Sequence, residues 1–217
     1  MIYMLRKHFH DELETITHLT CELGELVKNA VEGAVKSVIS LDVEKAKKVI
    51  DGDKGIGMLV SSIEKECYRL LSLQAPVAVD LRAIVSYLKV FMELERIGDE
   101  AKNISEAALE LHSLPPETAE ILDKMGVLGI DMIETSMKVL NTGDEKLAEE
   151  LAEKDDMMDE MYKNFFQHLV KSAEPGRIHD YFKLLLVSRY LERIGDHACN
   201  IGEKGVYIFT SKRIKLT

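Results

Sequence analysis

An all-α fold of two tandem three-helix bundles, six long antiparallel helices related by internal duplication, is what this 217-residue sequence predicts. Three observations predict it. Apolar residues recur at steps of three and four, the period of an amphipathic helix facing a core. Composition agrees, with abundant Leu, Ala, Glu, Lys and Met, 6% aromatic residues, four Pro and no Trp. Finally, one ten-residue stretch occurs twice. Glu95-Arg-Ile-Gly-Asp-Glu-Ala-Lys-Asn-Ile104 returns as Glu192-Arg-Ile-Gly-Asp-His-Ala-Cys-Asn-Ile201, eight of ten positions matching at an offset of 97.

The helices follow in order. Apolar residues at 9, 13, 16, 19, 23, 26, 27, 30, 34, 38 and 41 define a first helix over roughly 10–40. Asp42 is a cap for a second, over about 42–73. Gly52, Gly55 and Gly57 fall inside it and cost roughly 3 kcal/mol together against Ala, which predicts a bend or a loose turn there. Gln74-Ala75-Pro76 breaks the chain, and Pro76 suits the first turn of a third helix that runs to about His112 and carries the first copy of the motif. Pro115-Pro116 marks a connector. The layout then repeats: a fourth helix over 117–141, a capped turn at Asn141-Thr-Gly-Asp144, a fifth over 145–172, a break at Glu174-Pro-Gly176, and a sixth over 178–209. Residues 1–114 form the first three-helix repeat and 115–217 the second. The basic tail Ser211–Thr217 is expected to fray.

Charge and composition narrow the function. A net charge of −10 argues against nucleic acid, whose binding surfaces are basic. Cys21, Cys67 and Cys199 are odd in number and widely spaced, which reads as three unpaired, buried thiols in a reducing compartment. The first ten residues lack the apolar core of a signal peptide, and the longest aliphatic run, Leu184–Val187, is far short of a membrane span. The expectation is a cytoplasmic protein with no direct membrane insertion.

Each copy of the motif carries Glu and Asp four apart, with Asn four further on. Glu95, Asp99 and Asn103 therefore share one helix face, as do Glu192, Asp196 and Asn200. Oxygen-rich faces suit hard cations. Gly98 and Gly195 imply a close approach to the backbone at the same place in each copy. Antiparallel neighbours place residues side by side when their numbers total a constant. Asp155 with Asp196 totals 351, and so does Asp159 with Glu192, so four carboxylates should face one another across the fifth and sixth helices. Like charges that close raise one another's pKa and destabilise the fold unless a cation neutralises them. In the first half, Asp53 with Asp99 and Gly57 with Glu95 total 152; Gly57 replaces the fourth carboxylate, which predicts a weaker, differently loaded or empty site.

Other chemistry is sparse. No His has Glu three residues before it, as a di-iron oxidase bundle would need. No nucleotide-binding loop, serine-hydrolase elbow or His-Glu-x-x-His motif is present. His197 reads as a surface residue, Arg96 and Arg193 as ion-pair partners beside the stripe, and Met157, Met158 and Met161 as core packing. Three functions remain: a metal-binding regulator, a carboxylate-cluster metalloenzyme, and a metal-free helical adaptor.

Both Glu-Arg-Ile-Gly-Asp-x-Ala-x-Asn-Ile copies, with Pro76-Val-Ala-Val-Asp80-Leu-Arg82 before the first, resemble the PhoU family of phosphate-uptake regulators over nearly the whole chain. The second half departs from the Pro-x-Ala-x-Asp-Leu-Arg pattern around Arg177–Asp180. The resemblance implies two tandem three-helix bundles and no enzyme. It implies metal, iron first and Mg, Mn, Ca or Zn as alternatives, on Glu192, Asp196, Asp155, Asp159, Glu95, Asp99 and Asp53, with Asn103 and Asn200 as candidate ligands. It further implies damping of high-affinity phosphate uptake through the phosphate ABC transporter ATPase, a sensor histidine kinase as a second partner, a homodimer, and a place at the inner face of the membrane through partners. Relatives of similar build accompany other phosphate permeases.

Overall fold

A computed structural model describes residues 2–74, 76, 78–172 and 174–217, with backbone alone for 2–10 and 74. The six helices are α1 (Ile2–Ser40), α2 (Val43–Gln74), α3 (Ala78–Glu110), α4 (Pro116–Thr142), α5 (Glu145–Ser172) and α6 (Ile178–Thr210), with one 3₁₀ turn at Pro175–Arg177. Of the break expected at Gln74-Ala75-Pro76, Ala75 lies outside the described residues, as does Val77.

The duplication shapes the packing. Among the described residues α2 packs only on α1 and α3, and α5 only on α4 and α6. The remaining four helices join the halves through two antiparallel seams, α1 on α4 and α3 on α6. One buried cluster runs through all six helices, from Ile16 and Leu23 through Phe91, Leu94 and Met132 to Phe165 and Leu191. In the α1/α4 seam the two helices meet where Gly24 lies against Met137 and Gly126 against Val35.

Local signals account for the ends. The Asp42 carboxylate accepts the Lys45 backbone N–H at 3.0 Å, capping α2. Gly143 adopts the left-handed conformation (φ 66°) and donates its N–H to Val139 O at 2.7 Å, closing α4. Asp144 then caps α5 through Lys146 N–H at 2.9 Å. Pro116 occupies the first turn of α4, where a missing N–H costs nothing.

Three expectations are corrected. Helix α1 starts at Ile2 rather than near residue 10. No loose turn interrupts helix α2 at its glycines, and it runs unbroken from Val43 to Gln74. Ile56, Val60 and Ile63 bury their side chains on α1 and α3, and that packing outweighs a propensity cost of roughly 3 kcal/mol. The tail does not fray: Leu216 and Ile214 pack on Val139, Ala148 and Val206, and Leu216 N–H donates to Glu203 Oε1 at 3.1 Å. Cys67 and Cys199 are buried as expected, while Cys21 is half-buried. Met158 is core and Met161 borders it, but Met157 is exposed.

Glycine substitutions separate packing from propensity. A methyl group at Gly205 would lie 2.6 Å from Leu140 Cα and Val139 O, backbone that cannot yield, whereas Gly52 and Gly55 have nothing within 4 Å. Urea unfolding should show Gly205→Ala destabilised by about 2 kcal/mol or more, and Gly52→Ala or Gly55→Ala stabilised by up to about 1 kcal/mol.

Candidate metal centre

The predicted carboxylates line the groove between α5 and α6, but among the described residues no three of them bring ligand oxygens within 4.8 Å of one another. Asp155 and Asp159 come from α5, Glu192 and Asp196 from α6, each pair one turn apart. The register is the antiparallel one: Asp155 interacts electrostatically with Asp196, and Glu192 with Asp159. Asp155 Oδ1 reaches to within 3.4 Å of where a Cβ on Gly195 would sit. Met132 Cε approaches the same point at 3.1 Å, and Ile56 Cδ1 approaches the equivalent point on Gly98 at 3.2 Å. The close approach signalled by the two glycines is therefore core packing, reinforced at Gly195 by a site carboxylate.

Depth sets the electrostatics. Glu192 is only 8% exposed, and Asp155, Asp159 and Asp196 are half-buried, so the site is recessed rather than laid on the bundle exterior. Burial first, then the Asp196 charge, pushes the Asp155 carboxyl from 3.8 up to about 6. Glu192 is raised by burial and Asp196 against the opposing pull of Arg189. Asp196 is raised by burial, with Arg189, His197 and Arg193 pulling it down. Arg189 pairs with Glu192 Oε1, and Lys163 with Asp159 at 3.2 Å. Glu192 Oε2 is buried without a hydrogen-bond partner among the described residues. A carboxylate oxygen left unsatisfied among acidic neighbours is a free ligand position.

The first half is built differently. A methyl group on Gly57 would stand 3.7 Å from Glu95 Oε1, so Gly57 does face Glu95 and leaves the fourth corner without a carboxylate. Glu95 and Asp99 are exposed. Asp53 is paired with Lys102 at 3.0 Å. Lys102 occupies the motif position held by Cys199 in the second copy. The Glu95 carboxyl is nevertheless raised, by burial first and then by Asp99, Glu64 and Asp53. Glu64 was not among the sequence candidates; it lies on the same α2 stripe two turns beyond Gly57.

The amides serve the seam between the halves. Asn103 donates to Glu100 Oε2 at 3.1 Å, and Asn200 to Glu93 Oε2 at 3.3 Å. His197 is not on the surface: it is 9% exposed, its Nδ1 lies 2.7 Å from Glu93 Oε2, and its Nε2 is buried with no hydrogen-bond partner among the described residues. Arg193 reaches across to Glu100 at 3.1 Å. Sequence reasoning missed Arg189 and Lys163, whose only signals were spacings of three and four from Glu192 and Asp159.

A duplicated helical bundle with a carboxylate groove in one half defines a class of protein, and comparison with known sequences and structures agrees. A family profile described as the PhoU domain matches residues 20–108 and again 122–205. The chain is 36% identical over 197 residues to the phosphate-specific transport system accessory protein PhoU homolog of Caulobacter vibrioides, covering 88% of this chain and 86% of that one. It is 32% identical over 216 residues to the homolog of the same name from Zymomonas mobilis, covering 96% and 89%. Crystal structures of PhoU from Pseudomonas aeruginosa (TM-score 0.90, 32% identity, 94% and 100% coverage) and of the phosphate transport system regulatory protein PhoU from Streptococcus pneumoniae (TM-score 0.87, 30% identity, 95% and 99%) share the fold. The chain belongs to the PhoU family.

The Asp155 shift fixes the sign of a pH effect. With its pKa at about 6 folded against 3.8 ordinarily, the folded state holds this proton more tightly, so the contribution is lost as pH rises from about 4 through 6. Chelator-treated protein should lose thermal stability across that window, and Asp155→Asn should flatten the loss and melt higher than the parent above pH 6.

Proposed function

We propose that this chain is a metal-dependent, non-enzymatic regulator of phosphate transport, whose α5/α6 carboxylate groove holds the ion. The relatives are named accessory or regulatory proteins of phosphate transport, not enzymes. The single observation that carries the metal reading is the buried, unpartnered Glu192 Oε2 among three further carboxylates. Asp155, Asp159, Glu192 and Asp196 would hold the ion. Their donors are all oxygen, which suits iron, magnesium, manganese or calcium ahead of zinc. When bound, the ion supplies positive charge that offsets the repulsion between α5 and α6 and ties the two helices together. The residues do the rest: Arg189 orients Glu192, and the packing of Met132 on Gly195 sets the depth of the groove.

The groove is bordered by the outer helix α5, so loading it would alter a surface that partners can reach. The transporter ATPase is the partner this reading assigns, with a sensor histidine kinase as the second and a homodimer as the working form. No described helix is long and apolar enough to cross a membrane, which accords with action through such partners. The neighbouring Cys199 and His197 do not favour the metalloenzyme reading: burial raises the pKa of the Cys199 thiol, and His197 Nδ1 is engaged with Glu93.

Elemental analysis of protein purified without chelator tests the site. The parent should carry metal, and Glu192→Ala/Asp196→Ala should bring iron, manganese, magnesium and calcium per chain to background while retaining helical content. Equal metal in the two proteins would overturn the assignment. Capture of the transporter ATPase by the parent, lost in the double variant or after chelation, would tie the ion to regulation.

The first half supplies a converse test. Lys102→Ala removes the internal cation from Asp53 and should raise metal uptake by the Glu192→Ala/Asp196→Ala protein, read as metal per chain.

A further inference from the structure

A second cluster of ligating groups lies away from both carboxylate stripes, at the end of the α3/α6 seam. His112 comes from the connector after α3, and His179 and Asp180 from the first turn of α6. One ligand atom from each lies within 4.8 Å of the others. From this geometry we infer a site for a divalent transition ion of the zinc type, with His112, His179 and Asp180 as protein ligands.

The chemistry differs from that of the groove. Two imidazoles and one carboxylate make a nitrogen-rich set, which favours zinc, cobalt or nickel over magnesium or calcium. The spacing suits a small tetrahedral ion: bonds of about 2.0–2.1 Å place neighbouring ligand atoms about 3.3 Å apart. His112 Nδ1 lies 3.2 Å and His179 Nδ1 3.9 Å from Asp180 Oδ1. The rings stand edge to face, their centroids 5.7 Å apart, so both can turn a nitrogen toward one point. The position is open to solvent through the histidines, and a water or Glu110 completes four ligands. Glu110 Oε2 lies 3.7 Å from His179 Nε2, although Lys183 pairs with it at 2.7 Å.

The carboxylate is anchored in advance. Asp180 is 5% exposed and accepts the His112 backbone N–H at 3.1 Å and the Ser113 hydroxyl at 2.9 Å. Such outer contacts are what orient a ligand before an ion arrives. Those hydrogen bonds alone explain a buried Asp that pins the connector. His112 Nδ1 joins them with a hydrogen bond to Asp180 Oδ1 at 3.2 Å, but none of them calls for a second exposed imidazole, His179, with Nδ1 3.9 Å from the same oxygen, and that convergence is what the inference rests on. An ion here would bind the connector between the halves to the first turn of α6, adding a fixed point to their junction.

The test uses the full chain carrying Glu192→Ala/Asp196→Ala, so that the carboxylate groove does not contribute. Titration with Co2+ should give the intense visible absorption of a four-coordinate ion at one equivalent, displaced by Zn2+. Adding His112→Ala and His179→Ala should abolish that absorption and the thermal stabilisation by Zn2+. Both imidazoles are exposed, so helical content should stay unchanged and the comparison remain interpretable. Weak, six-coordinate-type Co2+ absorption in the His-containing protein, or tight Zn2+ binding that survives loss of both histidines, would overturn the inference.

Discussion

The α3/α6 seam is the interaction on which the rest of the molecule depends. Its cross-links run antiparallel for nearly the whole length of both helices, from Arg82 on Ile208 O, through Glu93 on His197 and Glu100 on Arg193, to Lys183 on Glu110 and Asp180 on His112. Glu100 is 3% exposed, and a carboxylate that deep is tolerable only with a cation and a hydrogen-bond donor. Arg193 and Asn103 supply them. Burial raises the Glu93 carboxyl, but His197 and Asn200 outweigh it and hold the net value below the ordinary range. Removing either partner would leave an uncompensated charge inside the joint between the halves.

This seam explains why the repeated motif has two jobs. Glu and Asp at its first and fifth positions face the outer helix of their own half. The residue after Asp, Glu100 or His197, turns inward to the other half. Asn103 and Asn200 join the inward network. One helical turn thus faces the acidic groove on one side and the junction on the other.

The two grooves show how a duplicated scaffold separates in function. Gly57 takes one carboxylate from the first, Lys102 neutralises another, and the remaining pair is exposed. In the second, Cys199 stands at the Lys102 position, four carboxylates remain, and burial raises the proton affinity of Asp155, Glu192 and Asp196. The fold accommodates both sets because Gly57 and Lys102 lie at partly exposed groove positions in the first half, while Cys199 in the second is absorbed into the core.

Much of this was legible in the residue pattern. The 3.6-residue period and the Pro, Gly and Asp punctuation located six helices, and simple totals of residue numbers paired Asp155 with Asp196 and Gly57 with Glu95. Those inferences work because helical geometry is local and a short connection forces antiparallel neighbours. The loose turn expected in α2 does not form because glycine propensity is worth about 1 kcal/mol per residue, less than the burial of Ile56, Val60 and Ile63. His197 was misplaced because its partner, Glu93, is about a hundred residues away and no local signal names it. The same holds for Lys102 on Asp53, the docked tail, and His112 beside Asp180. Sequence alone settles which faces are apolar and which carboxylates share a stripe, since both follow from spacing along one helix. Which charges are buried, which are neutralised and which stand unpaired is decided only when the two halves close on one another, because burial and pairing are properties of the distances between helices.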